Sequence, residues 1–397
     1  MAIEGFDVSS INWTSESAPA KGHVAPGFEA VAEEFARNFT LRGDLGAAFA
    51  ATHHGRIVVD VWGGSAAPGR PWAADTLQVI YSGTKGLMAA SVLKLVERGA
   101  LDLDAPVARY WPEFASADKG RVLVRHVVSH AAGLPGIAAP LTTADYTDFE
   151  KMEALLAAQS LPPDPNAFHC YHPVTIGWLV GALVRRIDGR TIGRFFAEEF
   201  AGPLGLDAFI GLPESEEPRV GALALGPDML PYEEAFSSEL RQDPTFVSAW
   251  GNPPLFPADL PWNSRAYHAA EIAGAGGIAT ARAMARYYGC MALGGSIDGV
   301  TVLQPETVAL GRAERSRFMD PYIAEAMAFG VCWALQTPQG RFGPPRDAFG
   351  HAGAGGSIHG AWPTEKVGFS YVMNEMRADP EDRRTRHILK RLHEIVG

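Results

Sequence analysis

The chain has 397 residues, 47% of them hydrophobic and 20% charged, with a formal net charge of −11. That composition supports a sizeable core in two or three lobes. The acidic balance argues against nucleic acid, which needs clustered Lys and Arg, and against anionic membranes.

Three widely spaced cysteines, Cys170, Cys290 and Cys332, imply no disulfide framework and fit a reducing compartment. The first residues, MAIEGFDVSSINW, lack a basic n-region and an apolar h-region, so no signal peptide is expected. No run reaches the roughly 20 apolar residues of a membrane helix. A cytoplasmic protein is the expectation.

In chain order, residues 28–39 place Phe28, Val31, Phe35 and Phe39 on one helical face. Two strand-like runs, Leu45–Thr52 and Arg56–Trp62, flank His53, His54 and Gly55 and read as a hairpin. After Ser82 comes GLMAASVLKLVERG, apolar nearly all round as a buried helix should be, with Gly99 at a glycine C-cap. Residues 121–130 and 174–187 look helical, and Gly189 could end the second. Residues 212–266 are rich in Pro, acidic and aromatic residues without a sustained period, which reads as a long binding-surface loop or lid. A helix is expected from 268 to about Leu293, then strands at Phe329–Thr337, Gly356–Trp362 and Lys366–Asn374. A last helix near 381–396 puts Ile388, Leu389, Leu392 and Ile395 on one face.

Strands at both ends with helices between predict an α+β fold: an antiparallel sheet built from both chain ends, flanked by helices, with an inserted mainly helical lobe. The expected division is residues 1–80 with 271–397 as the sheet domain and 81–270 as the helical one.

The chemistry concentrates in YSGTKG, Tyr81 to Gly86. Positions i and i+3 share a helix face, so Ser82 and Lys85 can touch. A helix N-terminus also offers unpaired N–H groups suited to an oxyanion. A lysine buried in this apolar helix would favour its neutral form and could take the serine proton. The tetrapeptide alone equally allows an N-cap serine with a solvated lysine.

The surrounding segments decide more. LQVIYSGTKGLMAASVLKLVERGALDLDAPVARYWPEF (77–114), VLVRHVVSHAAGLPG (122–136), YHPVTIGWLVGALVRRIDG (171–189), EIAGAGGIATARAMARYYG (271–289) and FGHAGAGGSIHG (349–360) follow one another along most of the chain. In these segments and their order the chain resembles the serine β-lactamase and penicillin-binding superfamily, in particular the class C β-lactamase-like carboxylesterases of family VIII.

The resemblance implies an acyl-enzyme on Ser82, with Lys85 and Tyr171 as its proton-handling partners. The family's Tyr-x-Asn motif is met by Tyr171 but has Pro173 in place of Asn. Its Lys-Thr-Gly motif is replaced by His351-Ala352-Gly353, a variant common in the esterases. The oxyanion N–H groups implied are those of Ser82 and Ala354. Both departures weaken the case for β-lactams as principal substrates. They favour Lys85 as base over Tyr171, since a tyrosinate needs nearby positive charge.

Competing signals are weaker. HCYH (169–172) could hold a metal but lacks a companion motif, so no metal or organic cofactor is expected. No G-x-S-x-G occurs, which argues against a nucleophile elbow, and no Rossmann context follows the glycines. His53 and His54 read as solvated turn residues, and His126 and His130 as helix caps or packing. Gly353, Gly355 and Gly356 suggest close approach of substrate to a sheet edge. Trp250, Phe256, Trp262 and Tyr267 are candidates for pocket walls or for packing beneath the loop.

The expectation is a serine carboxylesterase of short- to medium-chain esters, with His351, Gly353, Trp250 and Trp262 binding a small-molecule ester. Amide or β-lactam hydrolysis and acyl transfer share the same acyl-enzyme and stay open. The rival from another class is a catalytically silent ligand-binding homologue.

Overall fold

The computed structural model describes residues 11–162, 169–379 and 382–397. The leader-free reading of the N-terminus thus falls mostly outside the described residues. No helix among those described is long and apolar enough to cross a membrane.

Ten strands follow one antiparallel path: β1 Ile11–Thr14, β2 Ala20–Val24, β3 Gly46–His53, β4 Arg56–Ala67, β5 Ser316–Met319, β6 Ala326–Phe329, β7 Ala334–Leu335, β8 Phe349–Ala352, β9 Ile358–Trp362 and β10 Val367–Met373. Their order is β1-β2-β4-β3-β10-β9-β8-β7-β6-β5, with the short Arg70–Pro71 strand beside β4. β3 and β10 join the two ends of the chain in unbroken register, from His53 opposite Val367 to Ala47 opposite Met373. The β3–β4 turn has φ of +49° at His54 and +81° at Gly55. Two consecutive left-handed residues match the twist of a tight hairpin, and glycine takes the second position without strain.

Six helices frame the site: α1 Glu29–Leu41, α2 Thr84–Glu97, α3 Val124–Val127, α4 Thr175–Asp188, α5 Ala281–Ala292 and α6 Arg383–Val396. α5 crosses β10 so closely that a Cβ on Gly368 would stand 2.0 Å from the Gly289 nitrogen. α1 and α6 cover the opposite face. Their link is Asn38, whose side-chain amide donates to the Arg384 carbonyl at 3.3 Å. α2 and α4 end on left-handed glycines, Gly99 and Gly189, as their sequences indicate.

Four expectations need correction. The helix expected from 268 starts only at Ala281, because 277–279 form a strand of a separate small sheet with Gln78–Val79 and Ala208–Ile210. The apolar run there is short enough to suit either state. Residues 121–130 supply only the four-residue α3, since His130 turns to φ +60°. The 329–337 strand is broken between β6 and β7, where Cys332 has φ +58°. On α6, Ile388, Leu389 and Leu392 are buried, but Ile395 is 37% exposed in the last turn. The 212–266 stretch is irregular as expected, punctuated by short helices such as Pro244–Trp250.

Candidate active site

Ser82 lies in the turn that enters α2. Gly83 is the N-cap and no side chain caps this end. The Ser82 hydroxyl instead lies 2.9 Å from Lys85 Nζ. Lys85 is fully buried, so the alternative of a capping serine beside a solvated lysine is excluded. Tyr81, just before the serine, has φ +44°, a conformation bulky residues rarely adopt. Edge-on contacts to Phe256 and Trp262 (centroids 5.5 and 5.1 Å) hold it, with its hydroxyl 3.2 Å from Met376 Sδ. At Gly83 a Cβ would stand 2.6 Å from the His359 ring, so the turn can run this close only with glycine.

Lys85 Nζ has two further partners, the carbonyls of Pro173 and Gly274, each at 2.7 Å. Burial drives its pKa well below the ordinary lysine value. Carbonyls only accept hydrogen bonds. A neutral amine that gives its two hydrogens to them turns its lone pair toward Ser82 Oγ.

The Tyr171 ring lies 4.8 Å from the same Nζ. Its phenol is pushed above the ordinary tyrosine value by burial, and the neighbouring Ser82 hydroxyl pulls partly the other way. Its backbone N–H donates to Asp320 Oδ2 at 2.6 Å. The other oxygen of this buried carboxylate takes the N–H groups of Tyr322 and Ile323, both at 2.8 Å. Asp320 therefore ties the Tyr171 segment to the β5–β6 turn. Around the Tyr171 ring stand His130, Phe329 and His351. His130, expected to cap or pack a helix, instead places its ring near Tyr171 and Phe329 and accepts the His172 N–H at Nδ1.

His351 Nδ1 is 2.8 Å from the Ala352 carbonyl. That contact assigns the ring hydrogen to Nδ1 and leaves a lone pair on Nε2, which has no partner among the described residues. Burial, then the nearby Lys85, lowers its pKa to about 3, so the ring is neutral at ordinary pH. The turn after β8 offers Ala354, and among the described residues neither its N–H nor that of Ser82 is engaged with another protein group. At Gly353, Gly355 and Gly356 the protein's own packing requires glycine. Added Cβ atoms would strike the protein itself: the Ile80 carbonyl, Met376, and Arg384 with Asp382.

A cavity of about 210 Å³ opens over Ser82, and its lining includes Tyr171, Trp250, Phe256, Trp262, His351, Gly353 and Ala354. Tyr267 is instead buried behind Trp262, its hydroxyl on the Thr143 carbonyl at 2.6 Å. Arg341 also lines the cavity and is paired with Glu325. His172 gives both ring nitrogens to backbone partners, Cys170 O and Leu134 N. No group of three potential metal ligands occurs among the described residues. Sequence reasoning missed Asp320, Phe329 and the Arg341–Glu325 pair. None sits in a motif, and only the β5–β8 topology carries them to Ser82.

The beta-lactamase family model matches residues 35–393. The chain is 36% identical over 361 residues to "Esterase/beta-lactamase LipL" of Mycobacterium tuberculosis, covering 89% of this chain and 83% of that protein. Among solved structures, a family VIII carboxylesterase superposes with a TM-score of 0.87 at 36% identity, over 95% of this chain and 99% of the other. A penicillin-binding protein homologue from Caulobacter crescentus gives 0.87 at 37% identity, over 94% and 99%.

Proposed function

Since the chain belongs to the beta-lactamase family and is a serine hydrolase, we propose that it cleaves short- to medium-chain carboxylic esters through an acyl-enzyme on Ser82. The observation that carries this reading is the environment of Lys85 Nζ: two carbonyls at 2.7 Å, Ser82 Oγ at 2.9 Å, and no carboxylate among its hydrogen-bond partners. A carboxylate would hold the ammonium form, whereas burial without one favours the free amine.

In acylation, Lys85 takes the hydroxyl proton as Ser82 Oγ attacks the ester carbonyl carbon. The Ser82 and Ala354 N–H groups receive the developing oxyanion. As the C–O bond breaks, the proton passes from Lys85 through the Tyr171 hydroxyl to the leaving alcohol. In deacylation, water gives a proton back along the same route and attacks the acyl carbon. Ser82 Oγ leaves with a proton and the acid is released. His351, neutral and presenting a lone pair, offers no cation to a substrate carboxylate. Arg341 is already engaged by Glu325. Both features favour uncharged esters over β-lactams bearing a carboxylate.

Hydrolysis of p-nitrophenyl butyrate by the wild type and by Ser82→Ala tests the nucleophile. Turnover and labelling by a fluorophosphonate probe are expected only with Ser82 present. Equal rates would remove Ser82 from the mechanism, and an unlabelled wild type would favour a silent binding protein. Tyr171→Phe separates the two half-reactions. p-Nitrophenolate leaves as an anion, so its release needs no proton, and the expected result is a burst of one equivalent followed by a stall. Loss of the burst itself would make Tyr171 the acylation base.

A further inference from the structure

A second cavity, about 450 Å³, lies beside the first and shares Trp250, Leu255 and Phe256 with it. Met229, Phe236 and Pro254 line its far side, and Leu230, 51% exposed, stands at its rim. Phe256 and Trp250, both half-buried, are thus walls common to the two spaces. Gly355, next to Ala354, also faces this second space. The two cavities thus flank the oxyanion turn.

We propose that the second cavity is an extension of the acyl pocket, separated from it by the Phe256 and Trp250 side chains, and that it takes the far end of a medium-length unbranched acyl chain. The proposal rests on the acyl-enzyme reading of Ser82. The side follows from the ring contacts. Tyr171, the route of the proton to the alcohol, is surrounded by His130, Phe329 and His351. Tyr81, on whose backbone Ser82 is carried, touches Phe256 and Trp262 instead. The alcohol therefore lies toward His351 and the acyl group toward Phe256. Asp228, Tyr232 and Arg377 also line the space beyond Phe256, but most of its walls are apolar and suit methylene groups, each of which gains by leaving water.

The test compares kcat/KM for p-nitrophenyl decanoate and butyrate as a ratio. Phe256→Ala is expected to raise the decanoate-to-butyrate ratio by about tenfold or more, since several methylenes gain burial. Enlarging the first pocket alone could do the same, so the deciding variant is Phe256→Ala with Met229→Trp, which fills only the second cavity. Reversal of the gain supports the proposal, and a retained gain overturns it. Ala235→Trp, at an exposed position on the same lining, replaces Met229→Trp if that protein does not fold. Calorimetric titration with decanoate needs no turnover. Binding that is weakened by the filling substitution supports the extension, and unchanged binding overturns it. A protein that binds decanoate this way yet turns over no ester would defeat the esterase reading while keeping the cavity's role.

Discussion

Lys85 has no charged hydrogen-bond partner in a fully buried position, and this fixes how the site should respond to pH. Its pKa is lowered, so the free amine forms as pH rises through that lowered value. kcat/KM for butyrate should climb through one ionisation below the ordinary lysine pKa and then level off. Tyr171 is pushed the other way by burial and stays a phenol across the same range. A tyrosinate base would instead make the rate keep rising through the alkaline region, which a profile taken to high pH would reveal. His351, with its pKa lowered to about 3, should add no ionisation at ordinary pH. Lys85→Met removes the proton acceptor and should lower kcat/KM by about 10³-fold, within the usual range for a general base. A loss below tenfold would assign the base elsewhere.

Among the elements, the start of α2 depends on a single hydroxyl. Thr84 Oγ1 accepts the Gly277 N–H at 2.7 Å and donates to the Tyr81 carbonyl at 2.5 Å. It thereby joins the helix to the small sheet and braces the strained Tyr81 turn. Thr84→Val keeps the shape but strands the buried Gly277 N–H, while the Tyr81 carbonyl keeps only the Thr84 N–H at 2.9 Å. The expected loss is about 1–3 kcal/mol of stability in urea unfolding, with kcat for butyrate reduced because Ser82 is no longer held. Full stability in the variant would mean that the Gly277 N–H finds another partner. The short α3 and the broken β6–β7 segment show why element boundaries were hard to read. In each, a non-glycine residue, His130 or Cys332, takes a left-handed conformation. Neither residue type announces this, because the surrounding packing imposes it.

Across the whole molecule, Arg384 on α6 connects the far end of the chain to the site. Its guanidinium meets Asp44 at 3.0 Å with both side chains buried, 1% and 0% exposed. It also donates to the Gly355 carbonyl at 2.7 Å and the Glu375 carbonyl at 3.1 Å. Gly355 follows Ala354, so the C-terminal helix steadies the oxyanion turn from behind. Arg384→Met leaves Asp44 buried without its cation and should cost about 3–5 kcal/mol, read from the denaturant midpoint. Adding Asp44→Asn should recover part of that loss but not the butyrate kcat, because the grip on Gly355 stays broken. Full recovery of kcat in the double variant would free the oxyanion turn from α6.

The sequence by itself determined the local facts. The His54-Gly55 hairpin, the all-round apolar α2, the glycine caps at Gly99 and Gly189 and the Ser82–Lys85 spacing follow from backbone preference and periodicity, which act over a few residues. Motif order along the chain was enough to indicate the family, and strands at both ends with helices between were enough to indicate the antiparallel sheet. Only the tertiary structure decided what surrounds Ser82. Pro173 and Gly274 supply the carbonyls on Lys85 from positions 88 and 189 residues away. Asp320 and Phe329 arrive through the sheet order, and Arg384 through the docking of α6. The His351 tautomer depends on one carbonyl, and its depressed pKa on burial. These features arise from contacts between segments far apart in the chain, which the preferences of a few neighbouring residues do not encode.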